Sequence, residues 1–530
     1  MKARKVIGTI CIGITAITSL LYCGNGNAQN KEENRPNILF ILSDDHTSQA
    51  WGIYGGILSG YVQNGNIKRL ANEGVVLNNA FCTNSICTPS RASILTGQYS
   101  HVNDVYTLSE PLPQGHPNIA RTFSENGYRT AIIGKWHLVA RPEGFDYFNV
   151  LPGQGRYWNP ILKTEEDWVD GYDSSRGTVY EGFSTDVITD LTIQHLKERN
   201  TDAPFLMFCN FKATHEPFDY PERYKSLYDG MEIPEPPSLL DFGASTTGRT
   251  FKGQVLENLA LRWAKATESP EEFWTSYPGL PYPLENLDSV PLRKKIYQKL
   301  VKDFMRSGAA IDDNIGRLLD FLETEGLAEN TIVIYTADQG YFLGEHGFFD
   351  KRLIYEESLR MPFVIRYPKE IEPGKRIDDI ILNIDFAALL ADFAGIPIPD
   401  YIQGESFRAN LSGRTPENWR KQMYYRYWLH HPDRPAHFGL RDQRYKLAFF
   451  YGRGLDKKGT SKVNTDPAWE FYDLEKDPQE LYNAIHDSRY KTIIQDMKKR
   501  LLEERGKYND RDEDAPIVGQ LLSKDTDIGN

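Results

Sequence analysis

Four short, uninterrupted apolar runs constrain what this 530-residue chain can fold into. They are Asn37-Ile38-Leu39-Phe40-Ile41-Leu42, Thr130-Ala131-Ile132-Ile133, Phe205-Leu206-Met207-Phe208 and Ile332-Val333-Ile334-Tyr335. A strand with one wet face alternates apolar and polar residues, whereas an unbroken run has to bury both faces. Between the runs lie amphipathic stretches such as 311–322, where Ile311, Ile315, Leu318, Leu319 and Leu322 recur at helical spacing. Strands alternating with helices predict an α/β fold with a mostly parallel central sheet flanked by helices. Ligands of such sheets gather at the carboxyl ends of the strands. Short polar motifs follow three of the four runs directly.

The length exceeds one ordinary core and predicts a large domain over residues 35–415 with a smaller one behind it. From about Met423 the pattern turns to short aromatic strands, including Tyr445-Lys446-Leu447-Ala448-Phe449-Phe450 and Trp469-Glu470-Phe471-Tyr472. One amphipathic helix follows, carrying Tyr490, Ile493, Ile494, Met497 and Leu501, with Ser488 as its expected cap. Residues 416–508 thus read as a small α+β domain and 509–530 as a loose polar tail. A Pro-, Gly- and Trp-rich stretch over 234–291 reads as an insertion across one face.

Residues 1–28 have the form of a signal peptide: Lys2, Arg4 and Lys5, an apolar run, and a small-residue cleavage site at Gly26-Asn27-Ala28. The expectation is export to the periplasm or medium, with no transmembrane helix after leader removal. A lipid anchor at Cys23 is the second reading, disfavoured by the bulky Tyr22. Removing the leader takes away three basic residues and no acidic one, moving the net charge from −12 to −15. That field excludes nucleic acid as a general partner, so an anionic substrate has to be captured by local cations. Cys82, Cys87 and Cys209 remain, which is no disulfide scaffold; Cys82 and Cys209 pair or stay buried and free.

The polar motifs carry the chemistry. Ser43-Asp44-Asp45-His46 follows the first run and Ala337-Asp338-Gln339-Gly340 the fourth. Alone, an Asp-Asp pair is an ordinary solvated turn. Three carboxylates and an amide oxygen, following two separate buried strands, suit a hard cation, Ca²⁺ or Mg²⁺, rather than Zn²⁺. In Gly134-Lys135-Trp136-His137 the Lys and His stand two apart, on one side of an extended segment. Cys87-Thr88-Pro89-Ser90-Arg91 places a thiol before a helix-opening Pro, where free N–H groups and the helix dipole lower a thiol pKa.

Cys87-Thr88-Pro89-Ser90-Arg91-Ala92-Ser93-Ile94-Leu95-Thr96-Gly97 resembles the C-x-P-S-R-x-x-x-L-T-G signature of type I sulfatases, of the alkaline-phosphatase-like superfamily. The segment from Gly127 to His137 is similar to their second signature, and Thr214-His215-Glu216-Pro217-Phe218 to their H-x-P-F element. The resemblance implies that Cys87 is converted to formylglycine by a formylglycine-generating or anaerobic sulfatase-maturating enzyme. It implies Ca²⁺, with Mg²⁺ second, on Asp44, Asp45, Asp338, Gln339 and the modified Cys87, Gln339 standing where the family has Asn or His. It assigns sulfate binding to Arg91, Lys135 and Lys351, with Asp338 as the base that activates the nucleophile. It makes His215 the donor to the leaving oxygen and His137 the base that releases sulfate. Asp350 and Arg352 around Lys351, with Tyr355-Glu356-Glu357-Ser358 after them, resemble N-acetylglucosamine-6-sulfatases, which points to sulfated carbohydrate and toward hexosamine 6-O-sulfate. His437, with His430 and His431, is expected to line the sugar site, and His346 to be structural. A phosphonate or phosphate ester hydrolase of the same superfamily and a non-catalytic glycan binder are the alternative readings.

Overall fold

Strand β1 (Asn37–Asp44) runs through the middle of an eight-stranded sheet. The computed structural model describes residue 1 and residues 35–169, 176–199, 202–242, 252–269, 277–284 and 287–524. The leader expected over 1–28 therefore lies, beyond its first residue, outside the described residues. The other strands are β2 (Val75–Leu77), β3 (Arg129–Lys135), β4 (Tyr147–Leu151), β5 (Phe205–Thr214), β6 (Thr331–Ala337), β7 (Phe363–Arg366) and β8 (Lys375–Ile377). Their spatial order is β8-β2-β7-β6-β1-β5-β3-β4. β7 alone runs against its neighbours; the five strands from β6 to β4 pair in parallel. The mostly parallel sheet is present, and the four apolar runs are its four adjacent central strands.

Those strands are dry on both faces. Leu39 and Ile41 of β1 pack with Met207, Val333 and Tyr335 into one core, and Ile38, Phe40 and Leu42 with Phe208, Ile332 and Ile334 into the other. Helix α1 (Cys87–Thr96) and α5 (Asp385–Phe393) lie on the second face, α2 (Ser184–Glu198) and the end of α4 (Ser289–Thr324) on the first. Ile311, Ile315, Leu318, Leu319 and Leu322 of α4 are all buried, as their spacing predicts. Its first half meets α3 (Leu256–Glu268) in a third core, through Ile296, Leu300 and Phe304 against Leu256, Leu259 and Trp263. Each such side chain contributes about 1.5–3 kcal/mol, which holds the strand ends in place against the repulsion between the charges they carry.

The carboxyl-terminal segment forms an antiparallel sheet of β9 (Gln422–Tyr427), β10 (His437–Asp442), β11 (Tyr445–Phe450) and β12 (Ala468–Asp473), with α6 (Lys491–Lys507) packed on it. Two local expectations fail here. The turn before α6 is capped by Asp487, whose side chain accepts from Arg489 N, not by Ser488. The stretch beyond 509 is no loose tail as far as it is described: α7 (Pro516–Lys524) buries Val518 completely and tucks Leu521 against the main core. Two apolar residues three apart on one helical turn suffice for that docking.

Candidate active site

Sheet order decides the geometry. β6, β1, β5 and β3 are consecutive neighbours, and each ends in one of the polar motifs. Asp44 closes β1 and pairs with Thr214 of β5, Ser43 pairs with Ala337 of β6, and Lys135 closes β3. At Gly134 (φ 104°) an added Cβ would strike the carbonyl of Asn210, so only glycine lets β3 lie this close to β5 just before Lys135. Asp45, His137, Asp350 and Arg352 all adopt positive φ, at 64°, 54°, 77° and 98°. For non-glycine residues such backbones are held by surrounding structure, and here they cluster at one place.

Asp44, Asp45 and Asp338 bring carboxylate oxygens within 4.8 Å of one another, all buried. Asp338 accepts from Asp45 N at 3.0 Å and from Arg91 Nε at 2.9 Å. Arg91 also donates to the carbonyl of Lys135 at 3.0 Å and stands 3.7 Å from Asp44. Lys135 donates to Asp44 and, at 2.6 Å, to Gln154; Lys351 donates to both oxygens of Asp45. Burial pushes Asp45 up to about 6, with Lys351 opposing, and pushes Asp338 up to about 7, aided by Asp44 and opposed by Arg91. Burial acts on Asp44 too, but Lys135, His215, Arg91 and Lys351 outweigh it and hold that carboxyl well below the usual range. Three buried carboxyl groups with oxygens this close to one another fit a cation among them. Asp44 Oδ1 and Gln339 Oε1 are buried without a hydrogen-bond partner, two oxygens of the kind a hard ion takes. Gln339 Nε2 meanwhile points to Asp45.

Cys87 is the first residue of α1, after Ile86 as cap, with its thiol 4.0 Å from Asp45 Oδ1 and 3.9 Å from Gln339 Nε2. The helix end is where the sequence predicts it, but the thiol is not acidic. Burial, with Asp44 and Asp45, pushes its pKa up beyond what Lys351 and Lys135 offset. His137 is tied to the same turn: its carbonyl accepts from Thr88 Oγ1 at 2.9 Å, and its Nδ1 is buried without a partner. His215 directs Nδ1 to the carbonyl of Glu216 at 2.7 Å and Nε2 to Asp45 at 3.8 Å. Burial, then Lys135, lowers the pKa of both histidines.

Above this cluster opens a cavity of about 420 Å³ whose lining includes Asp45, Cys87, His215, Asp350, Lys351 and Arg352. Asp44, Arg91, Lys135, His137, Asp338 and Gln339 are buried and do not line it; Asp338 and Gln339 bond to the lining residue Asp45. Sequence reasoning missed part of the wall: Gln154, Glu216, Arg262, Lys265, Tyr277 and Arg434 also line it. Arg434 pairs with Asp350 at 3.2 Å, beside the Arg352–Asp350 pair at 2.8 Å. Of these only Glu216 falls in a motif, at the variable position of His215-Glu216-Pro217-Phe218. His437 is a correction. It is fully buried under the sheet, stacked on Phe450 and bonded to the carbonyl of Pro435, and is no part of the cavity lining. His430 is turned inward on Val463, while His346 is buried against Tyr355, as a structural histidine should be. Cys82 and Cys209 are both buried and free. Among the described residues no helix is long and apolar enough to cross a membrane.

Comparison with known proteins agrees with this geometry. The family model described as Sulfatase matches residues 36–396, and that of the N-sulphoglucosamine sulphohydrolase C-terminal region matches 344–507. An N-acetylglucosamine-6-O-sulfatase of Bacteroides thetaiotaomicron is 35% identical over 96% of this chain and 92% of its own. A solved structure described in complex with its substrate D-glucosamine-2-N,6-O-disulfate superposes with a TM-score of 0.79 at 33% identity, over 91% of this chain and 99% of that one. A phosphonate monoester hydrolase from Silicibacter pomeroyi shares the fold, with a TM-score of 0.66 at 20% identity over 89% and 96% of the two chains.

Proposed function

This chain belongs to the sulfatase family and hydrolyses sulfuric esters, and from that premise we propose an exported enzyme that removes 6-O-sulfate from glucosamine residues of sulfated glycans. The observation that carries the reading is the meeting of Cys87 with the ends of four adjacent strands at the floor of a sugar-sized cavity. The similarity to an N-acetylglucosamine-6-O-sulfatase along nearly the whole chain supports the substrate. The leader-like residues 1–28 support export.

Asp44, Asp45, Asp338 and Gln339 would hold a divalent ion, Ca²⁺ or Mg²⁺ by the all-oxygen donor set and Ca²⁺ by the family resemblance, which would neutralise charge on sulfate and on the group at position 87. Formylglycine in place of Cys87, made by a maturation enzyme, supplies the nucleophile that the neutral thiol is not. The chain's own cations do the rest. Arg91, Lys135 and Lys351 stand fixed by the carboxylates, so their fields are set before substrate arrives and need no rearrangement as charge develops. His215 presents Nε2 toward the cavity because its Nδ1–H is committed to the Glu216 carbonyl. His215 donates only as the imidazolium: with Nδ1–H held on the Glu216 carbonyl, a second proton taken up on Nε2, which burial and Lys135 disfavour until the substrate's negative charge is in place, passes to the bridging oxygen as the sulfur–oxygen bond to the sugar breaks. His137, anchored at the first turn of α1, takes the proton from position 87 that lets sulfate leave. Asp350 and Arg352 meet the sugar hydroxyls on the outer wall.

The test is sulfate release from a panel of sulfated mono- and disaccharides by protein whose aldehyde content has been measured with a carbonyl-reactive probe. Release from glucosamine 6-sulfates above other positions supports the reading. Preference for another sulfate position, or for phosphonate esters, overturns the substrate.

A further inference from the structure

The 234–291 stretch does more than cover one face, because two of its residues reach the element that carries His215. Glu216 is 8% exposed, and its carboxylate is held at both oxygens. Arg262 of α3 donates to Oε2 at 2.5 Å and Tyr277 donates to Oε1. Tyr277 is itself buried, and the Arg262 guanidinium lies 4.9 Å over the ring of Phe349. Phe349 leads into Asp350-Lys351-Arg352, and its backbone N–H and C=O both bond to Gln254, two residues before α3. One helix therefore ties together the two segments that face the substrate, 215–216 and 349–352.

The consequence for His215 follows from hydrogen-bond roles. A carbonyl oxygen only accepts, so the 2.7 Å contact from His215 Nδ1 to the carbonyl of Glu216 places a hydrogen on Nδ1 and leaves Nε2 as the atom that exchanges a proton with the cavity. That contact lies between adjacent residues, and its geometry depends on how the 216 peptide is oriented. The carbonyl belongs to the Glu216–Pro217 peptide, and the side chain of the same Glu216 is pinned from outside the sheet by Arg262 and Tyr277.

We propose that Glu216 is a positioning residue, clamped by Arg262 and Tyr277 so that its carbonyl keeps His215 Nε2 aimed at the leaving oxygen. The inference rests on the assignment of His215 as the leaving-group proton donor. An oxygen already stable as an anion needs no such donor, whereas a sugar alkoxide does. Loosening the clamp therefore slows sugar sulfates and spares activated aryl sulfates, which a general loss of structure does not do.

The experiment measures kcat and KM on glucosamine 6-sulfate and on 4-nitrophenyl sulfate for converted wild type, His215→Ala, Glu216→Gln, Tyr277→Phe, Arg262→Met and Arg262→Lys, with thermal midpoints as a control. Tyr277→Phe keeps the buried ring, and Arg262 is partly exposed, so these variants test the clamp without emptying a core. Expected is a fall of about tenfold in kcat on the sugar for Tyr277→Phe, Glu216→Gln and Arg262→Met, at least fivefold more than on the aryl ester, with KM nearly constant and Arg262→Lys partly restored. A split in His215→Ala without one in Glu216→Gln and Tyr277→Phe overturns the inference alone. Equal losses on both substrates, or changes in KM only, overturn it as well. Absence of any split in His215→Ala overturns the donor assignment and the clamp with it.

Discussion

The floor and the wall of the cavity are built on different principles. Beneath the floor Asp44, Asp338 and Lys135 are fully buried, and each sits at the end of a strand whose neighbours are also strands. On the wall Arg262, Lys265 and Arg434 come from a helix and a loop and keep contact with solvent, Arg262 with 42% of its side chain and Arg434 with 23%. The floor has no freedom to vary without breaking the sheet, while the wall rests on contacts between loops. Chemistry shared across a family belongs on the first kind of surface, and discrimination between substrates on the second.

The largest effect that tests this contrast is at Cys87. Cys87→Ala, or protein carrying only the unconverted thiol, should lose turnover by on the order of a thousandfold or more on every sulfate ester; full activity with an intact thiol by mass spectrometry would erase the role given to the floor. Next, Arg91→Lys should lower kcat by roughly a hundredfold, because a single ammonium cannot reach Asp338 and the Lys135 carbonyl together. Sugar and aryl substrates should suffer alike, and a loss confined to one of them would blur floor and wall. Arg352→Ala should raise KM for sugar sulfates about tenfold while metal content, read by elemental analysis, stays constant; unchanged KM removes Arg352 from the wall.

Two smaller effects concern stability. Chelation should lower the thermal midpoint by a few degrees, about 1 °C for each kcal/mol lost in a chain of this length, since it leaves Asp44, Asp45 and Asp338 facing one another. A midpoint indifferent to chelator would mean that the ion is not part of the folded floor. His437 gives the smallest. Burial lowers its pKa to about 4, so between pH 6.5 and 4 the unfolded chain binds the proton that the folded one refuses. Its share of stability is complete above about pH 6.5 and is lost as pH falls toward 4, by at most about 1.4 kcal/mol per pH unit. His437→Phe should flatten that part of the pH–stability curve and leave kcat/KM for sugar sulfates in place, unlike Arg352→Ala.

How much was legible in the sequence varied with the kind of residue. The floor was readable because its residues occur in short motifs at the ends of apolar runs, where local pattern and tertiary place coincide. Asp44, Lys135, His215 and Asp338 were each found in that way. Arg262, Tyr277 and Arg434 were not, because an arginine on an amphipathic helix and a tyrosine in a loop carry no local mark of the face they turn to. His437, grouped with the other carboxyl-terminal histidines, carries no local mark of which side of its sheet meets the cavity either. The acidity expected of Cys87 failed because a helix end lowers a thiol pKa only where burial beside carboxylates does not outweigh it.

By itself, then, the chain's pattern of apolar runs, helical spacings and polar motifs determined the parallel sheet, its covering helices and the strand ends at which polar groups stand, since each depends on residues a few positions apart. Only the tertiary structure decided which strands are neighbours, how buried charges balance, and which distant side chains close the wall. Those outcomes come from contacts between residues hundreds of positions apart, such as Asp45 with Lys351 and Arg91 with Asp338. Burial then sets how strongly such pairs interact, a quantity that no local pattern encodes.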